Sequence, residues 1–108
     1  MQNRVYKLSV WGQEFSLRLF KTSYSYGENL AIVAHTTDGA PFATLTVNLM
    51  SPEQSKERAY VDTNNCPWIE EFIVQNNLGK PVPGYYQVSG YCIYPLYEFD
   101  LSKLSTLY

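Results

Sequence analysis

The chain has 108 residues, 45% of them hydrophobic and 17% charged, a composition of one compact domain rather than of a disordered chain. No apolar run reaches the ~18 residues of a membrane-spanning helix, and Met1-Gln2-Asn3-Arg4 leads into polar-apolar alternation instead of the apolar stretch of a secretory signal. The formal charge of −2 divides into +3 over residues 1–21, −2 over 22–59 and −3 over 60–108, which gives neither the Lys/Arg stripe of a nucleic-acid binder nor the dense acidic run of a nucleic-acid mimic. The expectation is a single cytoplasmic domain over 1–108 with no direct nucleic-acid partner and no membrane partner.

Tyr6, Leu8 and Val10 alternate with Lys7 and Ser9, and Phe15, Leu17 and Leu19 alternate with Ser16 and Arg18, the period of two half-buried strands. A tight turn at Gly12-Gln13 joins them. Thr22 to Asn29 reads as a polar loop carrying Tyr24 and Tyr26, and Leu30-Ala31-Ile32-Val33-Ala34 as a central strand. Asp38-Gly39-Ala40-Pro41 has turn chemistry and is followed by Ala43, Leu45, Val47 and Leu49 alternating with Thr44, Thr46 and Asn48, a second hairpin. Ser51 to Arg58 is polar, with one helical turn allowed after Pro52, and Ala59-Tyr60-Val61 reads as a brief extended piece.

Pro67 to Leu78 is the helix. Pro67 suits a first turn, Glu70 and Glu71 oppose the positive end of the dipole, and Trp68, Ile69, Phe72 and Ile73 form one apolar stripe. Gly79 ends the helix and Pro81 prevents its resumption. Tyr85 to Tyr94 has the aromatic and β-branched composition of a strand, with a bulge at Gly90, and Pro95 takes the chain out of the sheet or to its edge. The tail from Asp100, residues 100–108, is expected to be loosely attached. These elements give an α+β, two-layer domain: an antiparallel sheet of four to six strands, hairpins first, with one main helix at about 67–78 packed on one face. The second face of the sheet is then solvated, self-associated in a homodimer, or used for a partner.

Catalytic and cofactor signatures are weak. Asp62-Thr63-Asn64-Asn65 opens like a calcium loop, but Pro67 stands where the turn glycine belongs and Ile73 where the bidentate Glu belongs, so these residues are read as an Asx-rich approach to the helix. Cys66 and Cys92 are 26 positions apart and His35 is the single histidine, which does not make a zinc site. A nucleophilic reading rests on Cys66 at a helix start, where the dipole lowers a thiol pKa, while Cys92 reads as core. Glu70 and Glu71 are adjacent and diverge by about 100° on a helix, so they form a solvated face rather than an acid/base pair. No phosphate-binding glycine loop occurs. No catalytic, cofactor or metal residue is assigned.

Tyrosine is the outlier. Ten of the 108 residues are Tyr, five of them at 85, 86, 91, 94 and 97, and a ring with a polar tip favours interfaces. By strand parity Tyr86 and Tyr94 share one face and Tyr85, Tyr91 and Tyr97 the other, so some of them must point outward. The expected partner-binding residues are Tyr85, Tyr91 and Tyr97, with Asp62 and Glu98 meeting basic groups at the rim.

The stretches Ala59-Tyr60-Val61-Asp62-Thr63-Asn64-Asn65-Cys66-Pro67-Trp68, Asn77-Leu78-Gly79-Lys80-Pro81 and Ser89-Gly90-Tyr91-Cys92-Ile93-Tyr94-Pro95-Leu96-Tyr97 resemble a family of small proteins of unknown function. Its members are carried on plasmids, conjugative elements and phages of Firmicutes and other gut bacteria. The resemblance covers the C-terminal half and carries over no catalytic residue. It implies a mobile-element accessory protein and, by analogy with other small acidic proteins from that source, a non-enzymatic protein that inhibits a host defence nuclease such as a CRISPR effector. The alternatives are a small cytosolic enzyme or redox-active protein using Cys66, and a homo-oligomeric accessory protein of conjugation or plasmid maintenance.

Overall fold

The structure, a computed structural model, describes residues 4–25, 28–49 and 51–106. Met1–Asn3, the Tyr26–Gly27 portion of the polar loop, Met50 and the end of the tail, Leu107–Tyr108, lie outside the described residues. The fold is small and α+β, with mostly antiparallel strands in two sheets and a single α-helix among the described residues.

The first sheet is built from β1 (Tyr6–Val10), β2 (Gln13–Ser23), β3 (Leu30–Thr36) and β4 (Pro41–Thr44), adjacent in that order and antiparallel. The alternation seen in the sequence is the inward face: Tyr6, Leu8, Leu17, Leu19, Leu30, Ile32 and Ala34 are buried. The first turn sits one residue earlier than expected, at Trp11-Gly12. Both residues have positive φ (54° and 72°), as a two-residue turn of type I′ requires.

The alternating stretch after Pro41 is not one strand. It breaks at Leu45 into β4 and β5 (Thr46–Val47), because Leu45 joins the two sheets: its N–H donates to the Ile32 carbonyl (2.8 Å) and its carbonyl accepts from Asp62 N–H (2.9 Å). The second sheet runs β5, β6 (Arg58–Val61), β8 (Cys92–Phe99), β7 (Gly79–Ser89). Gly79 lies so close to its neighbour that a Cβ there would stand 2.4 Å from the Glu98 carbonyl oxygen, a contact only glycine avoids. What the sequence presents as one strand, 85–94, is a hairpin. Ser89 pairs with Cys92, and Gly90, with φ +63°, opens the two-residue turn that carries Tyr91.

The α-helix α1 (Ile69–Gln75) is shorter than the expected 67–78. Its start is delayed because Pro67 and Trp68 belong to a turn closed by Ile69 N–H on the Cys66 carbonyl at 2.9 Å. Its end comes at Asn77, which takes the left-handed conformation (φ 54°) that the sequence assigned to glycine. Asn77 N–H donates to Val74 and Leu78 N–H to Ile73, the paired bonds of a Schellman cap. The apolar stripe is as expected: Ile69, Phe72 and Ile73 are buried and Trp68 is packed against the core. An aromatic chain, Phe15 to Phe42 to Trp68 to Phe72, with ring centroids 4.9, 6.2 and 5.6 Å apart, ties the helix to the first sheet.

The tail is anchored over its described part. Leu104 is buried, β9 (Ser105–Thr106) pairs in parallel with Phe20 and Lys21 of β2, and Tyr6 donates its hydroxyl proton to the Lys103 carbonyl at 2.7 Å. The far side of the second sheet is partly covered as well. Tyr60 and Leu96 are fully buried outside the main core, and the Tyr60 hydroxyl lies 3.2 Å from the Ser51 hydroxyl in the loop before β6. No described helix is long and apolar enough to cross a membrane.

Candidate functional site

β8 pairs with β6 only over Leu96–Glu98, through Tyr60, Ala59 and Arg58. Beyond that point, residues 85–95 form a two-stranded arm in which β8 has only β7 beside it. Ile93, Pro95, Tyr97 and Phe99 alternate along one face of β8, the face that looks into the core at Tyr97 and Phe99. Past Pro95, which is still buried, the same face continues uncovered. Ile93 is 59% exposed, its cross-strand partner Val88 63%, and Tyr86, opposite Pro95, 66%. Tyr85 is 47% exposed and Tyr91, at the tip, is completely exposed. No charged residue lies between Lys80 and Glu98. Five large apolar side chains thus share one uncharged arm, whereas apolar residues scattered singly over a surface need no explanation.

Of the five residues expected to bind a partner, the arm carries Tyr85 and Tyr91. The other three are engaged elsewhere. Tyr97 is buried, and its hydroxyl donates to a Glu70 carboxylate oxygen at 2.8 Å; burial first and this carboxylate second push its pKa up. Asp62 is also buried and holds the loop before the helix, accepting from the Asn65 backbone N–H at 3.0 Å and its side-chain amide at 2.8 Å. That is the Asx-rich approach read from the sequence. Glu98 is half-exposed and paired with Arg58 directly across the strands, Nε to Oε1 3.0 Å. Parity misplaced Tyr97 relative to Tyr91 because the count ran through a turn, where the two-residue period stops. Tyr86, Val88, Ile93 and the exposed Trp11 are the surface residues this reasoning missed.

Cys66 has surroundings opposite to those of an activated thiol. Burial, and then the charge of Asp62, raise its pKa from 9.0 to about 11, and its sulfur faces the Thr44 carbonyl at 3.9 Å. His35 lies against Phe20 with the two rings tilted at 51° and their centroids 5.1 Å apart. Among the described residues no three His, Cys, Asp or Glu side chains stand close enough to hold a metal ion. The arrangement that stands out chemically is the apolar arm.

No curated protein and no solved structure matches the chain. A family match begins at Arg18 in β2 and runs through the helix and the whole arm, leaving the Trp11 hairpin tip outside it. Residues 18–108 match the family described as a domain of unknown function, DUF4313, and the chain belongs to that family.

Proposed function

We propose that this chain is a non-enzymatic protein-binding module of a bacterial mobile element, acting in the host cytoplasm by covering the surface of a partner protein with its β7–β8 arm. The carrying observation is the clustering of Tyr85, Tyr86, Val88, Tyr91 and Ile93, all exposed, on one uncharged ribbon. Aromatic anchors of this kind supply affinity by desolvation, and a partner pocket lined with apolar groups is their complement. With no charge on the arm, electrostatic steering is small, so binding should change little between low and physiological salt.

The partner class that the family resemblance suggests is a defence nuclease of the CRISPR-effector type, inhibited by occlusion. Cleavage assays with purified effectors test this. Inhibition by the wild-type chain, lost in Tyr86→Ser/Tyr91→Ala with the melting temperature retained, is the expected result. No inhibition of any effector would remove the nuclease as partner, and inhibition undiminished in the double variant would remove the arm as the docking element.

A further inference from the structure

The arm has an edge as well as a face. In a two-residue hairpin the residues flanking the turn exchange both backbone hydrogen bonds, and the pairs then alternate. Ser89 and Cys92 are therefore a bonded pair, Val88 and Ile93 are not, Gln87 and Tyr94 are, and Tyr86 and Pro95 are not. The pattern is supported at two points. Pro95, which has no N–H, occupies a position that needs none, and the Ile93 carbonyl, pointing away from β7, accepts from the Thr63 hydroxyl at 3.2 Å. It follows that the N–H and C=O groups of Tyr86 and Val88 point outward along β7, the terminal strand of its sheet.

The two halves of this edge differ. Residues 79–84 carry Lys80, Pro81, Pro83 and a positive-φ Gly84, features that prevent strand addition, and the register shifts between Pro81 and Tyr86. Residues 85–89, Tyr-Tyr-Gln-Val-Ser, contain no proline, glycine or charge.

We infer that a second copy of this chain occupies that edge, the two β7 strands pairing antiparallel about a two-fold axis at Gln87. Tyr86 then lies opposite Val88 of the other copy, and each such pair exchanges two backbone bonds, four in all. Aromatic and β-branched side chains meet across the seam twice, no like charges oppose each other, and Gln87 faces its own symmetry mate as a close, non-bonded pair. Taking roughly 200 Å² for a fully exposed tyrosine, the arm side chains expose on the order of 500 Å² per copy. Two copies therefore have at most on the order of 1,000 Å² to bury, no more than the low end for a specific interface, so the dimer is weak and concentration-dependent. The seam draws on Tyr86 and Val88, which the partner binding proposed above also uses, so the two compete and self-association is measured without a partner.

Sedimentation across a concentration series tests the pairing without any partner. The wild-type chain should dimerise reversibly below ~100 μM, a range that corresponds to modest micromolar association. Gln87→Lys and Gln87→Glu each set like charges against each other across the axis and should each weaken the dimer at least tenfold, while an equimolar mixture of the two variants should restore it. A wild-type monomer at ~100 μM overturns the inference. So does a Gln87→Lys dimer as tight as wild type, or a mixture no tighter than either variant alone.

Discussion

Trp11 carries the largest exposed ring outside the arm and sits at φ 54°, a conformation in which a bulky L residue is strained by roughly 1–2 kcal/mol. Asn-Gly is the favoured pair for such a turn. Trp11→Asn should therefore raise stability by about 1 kcal/mol, read from denaturant midpoints at constant slope. A loss instead would mean that the indole packs on the hairpin. Cys66 gives a second residue-scale prediction, through pH. A thiol whose pKa rises from 9.0 in the unfolded chain to about 11 in the native state favours folding below pH 9 and loses that contribution as pH rises from 9 to 11. The loss is on the order of 2 kcal/mol, and it should be absent from Cys66→Ala, so the two stability curves converge at high pH. Alkylation of native Cys66 should be correspondingly slow; a rate matching that of a free cysteine peptide would contradict its burial.

Among the elements, those built on a simple period were legible. Tyr6-Leu8-Val10 and Phe15-Leu17-Leu19 fall on one face of β1 and β2, and Ile69, Phe72 and Ile73 point inward from α1 with Trp68 packed beside them from the turn before it, because burial of one face is what creates such patterns. The boundaries were not, because they are set by single hydrogen bonds between distant residues. Nothing in Ala43 to Leu49 announces that Leu45 bonds to both Ile32 and Asp62, and Asn77 does the work of the helix-ending glycine two positions early. The arm was half legible. Its tyrosines stand out in the composition, but Gly90 reads as a bulge within one strand where the chain in fact turns at Gly90-Tyr91, and a bulge gives neither the pairing of Val88 with Ile93 nor the bare face that follows from it. Within α1, Phe72→Ala should cost roughly 3–5 kcal/mol, a large part of the stability of a domain this size. Val74→Ala, on the 57% exposed side of the same helix, should stay within about 0.5 kcal/mol, and thermal unfolding separates the two.

At the level of the whole molecule, the two sheets, the helix and the last turn close around one core that draws on Tyr6 and Leu8 near one end and Leu104 near the other. A loose tail would be dispensable. This one is not: deletion from Leu101 onward removes buried Leu104, strips β9 from β2 and leaves the Tyr6 hydroxyl without its Lys103 partner. Such a truncation should lower stability by at least about 2–5 kcal/mol, the scale of one buried leucine lost to a cavity, and a melting temperature unchanged from the full chain would refute the anchoring. The arm should be the opposite case. An isolated two-stranded ribbon gains little stability of its own, so hydrogen exchange at Tyr86 to Ile93 should be faster than at Leu17 to Ile32 in the core.

The parallel pairing of β9 with β2 also fixes an order of events during synthesis. Phe20 and Lys21 are made early and Ser105 and Thr106 late, and the Tyr6 to Lys103 bond spans 97 positions. While the ribosome is still translating the second sheet, the Phe20–Lys21 stretch of β2, beyond the part of that edge that β1 covers, has nothing to pair with, and the site for Leu104 is an open hydrophobic notch. The nascent chain is thus most exposed to wrong partners, including neighbouring nascent chains, until its final strand has emerged.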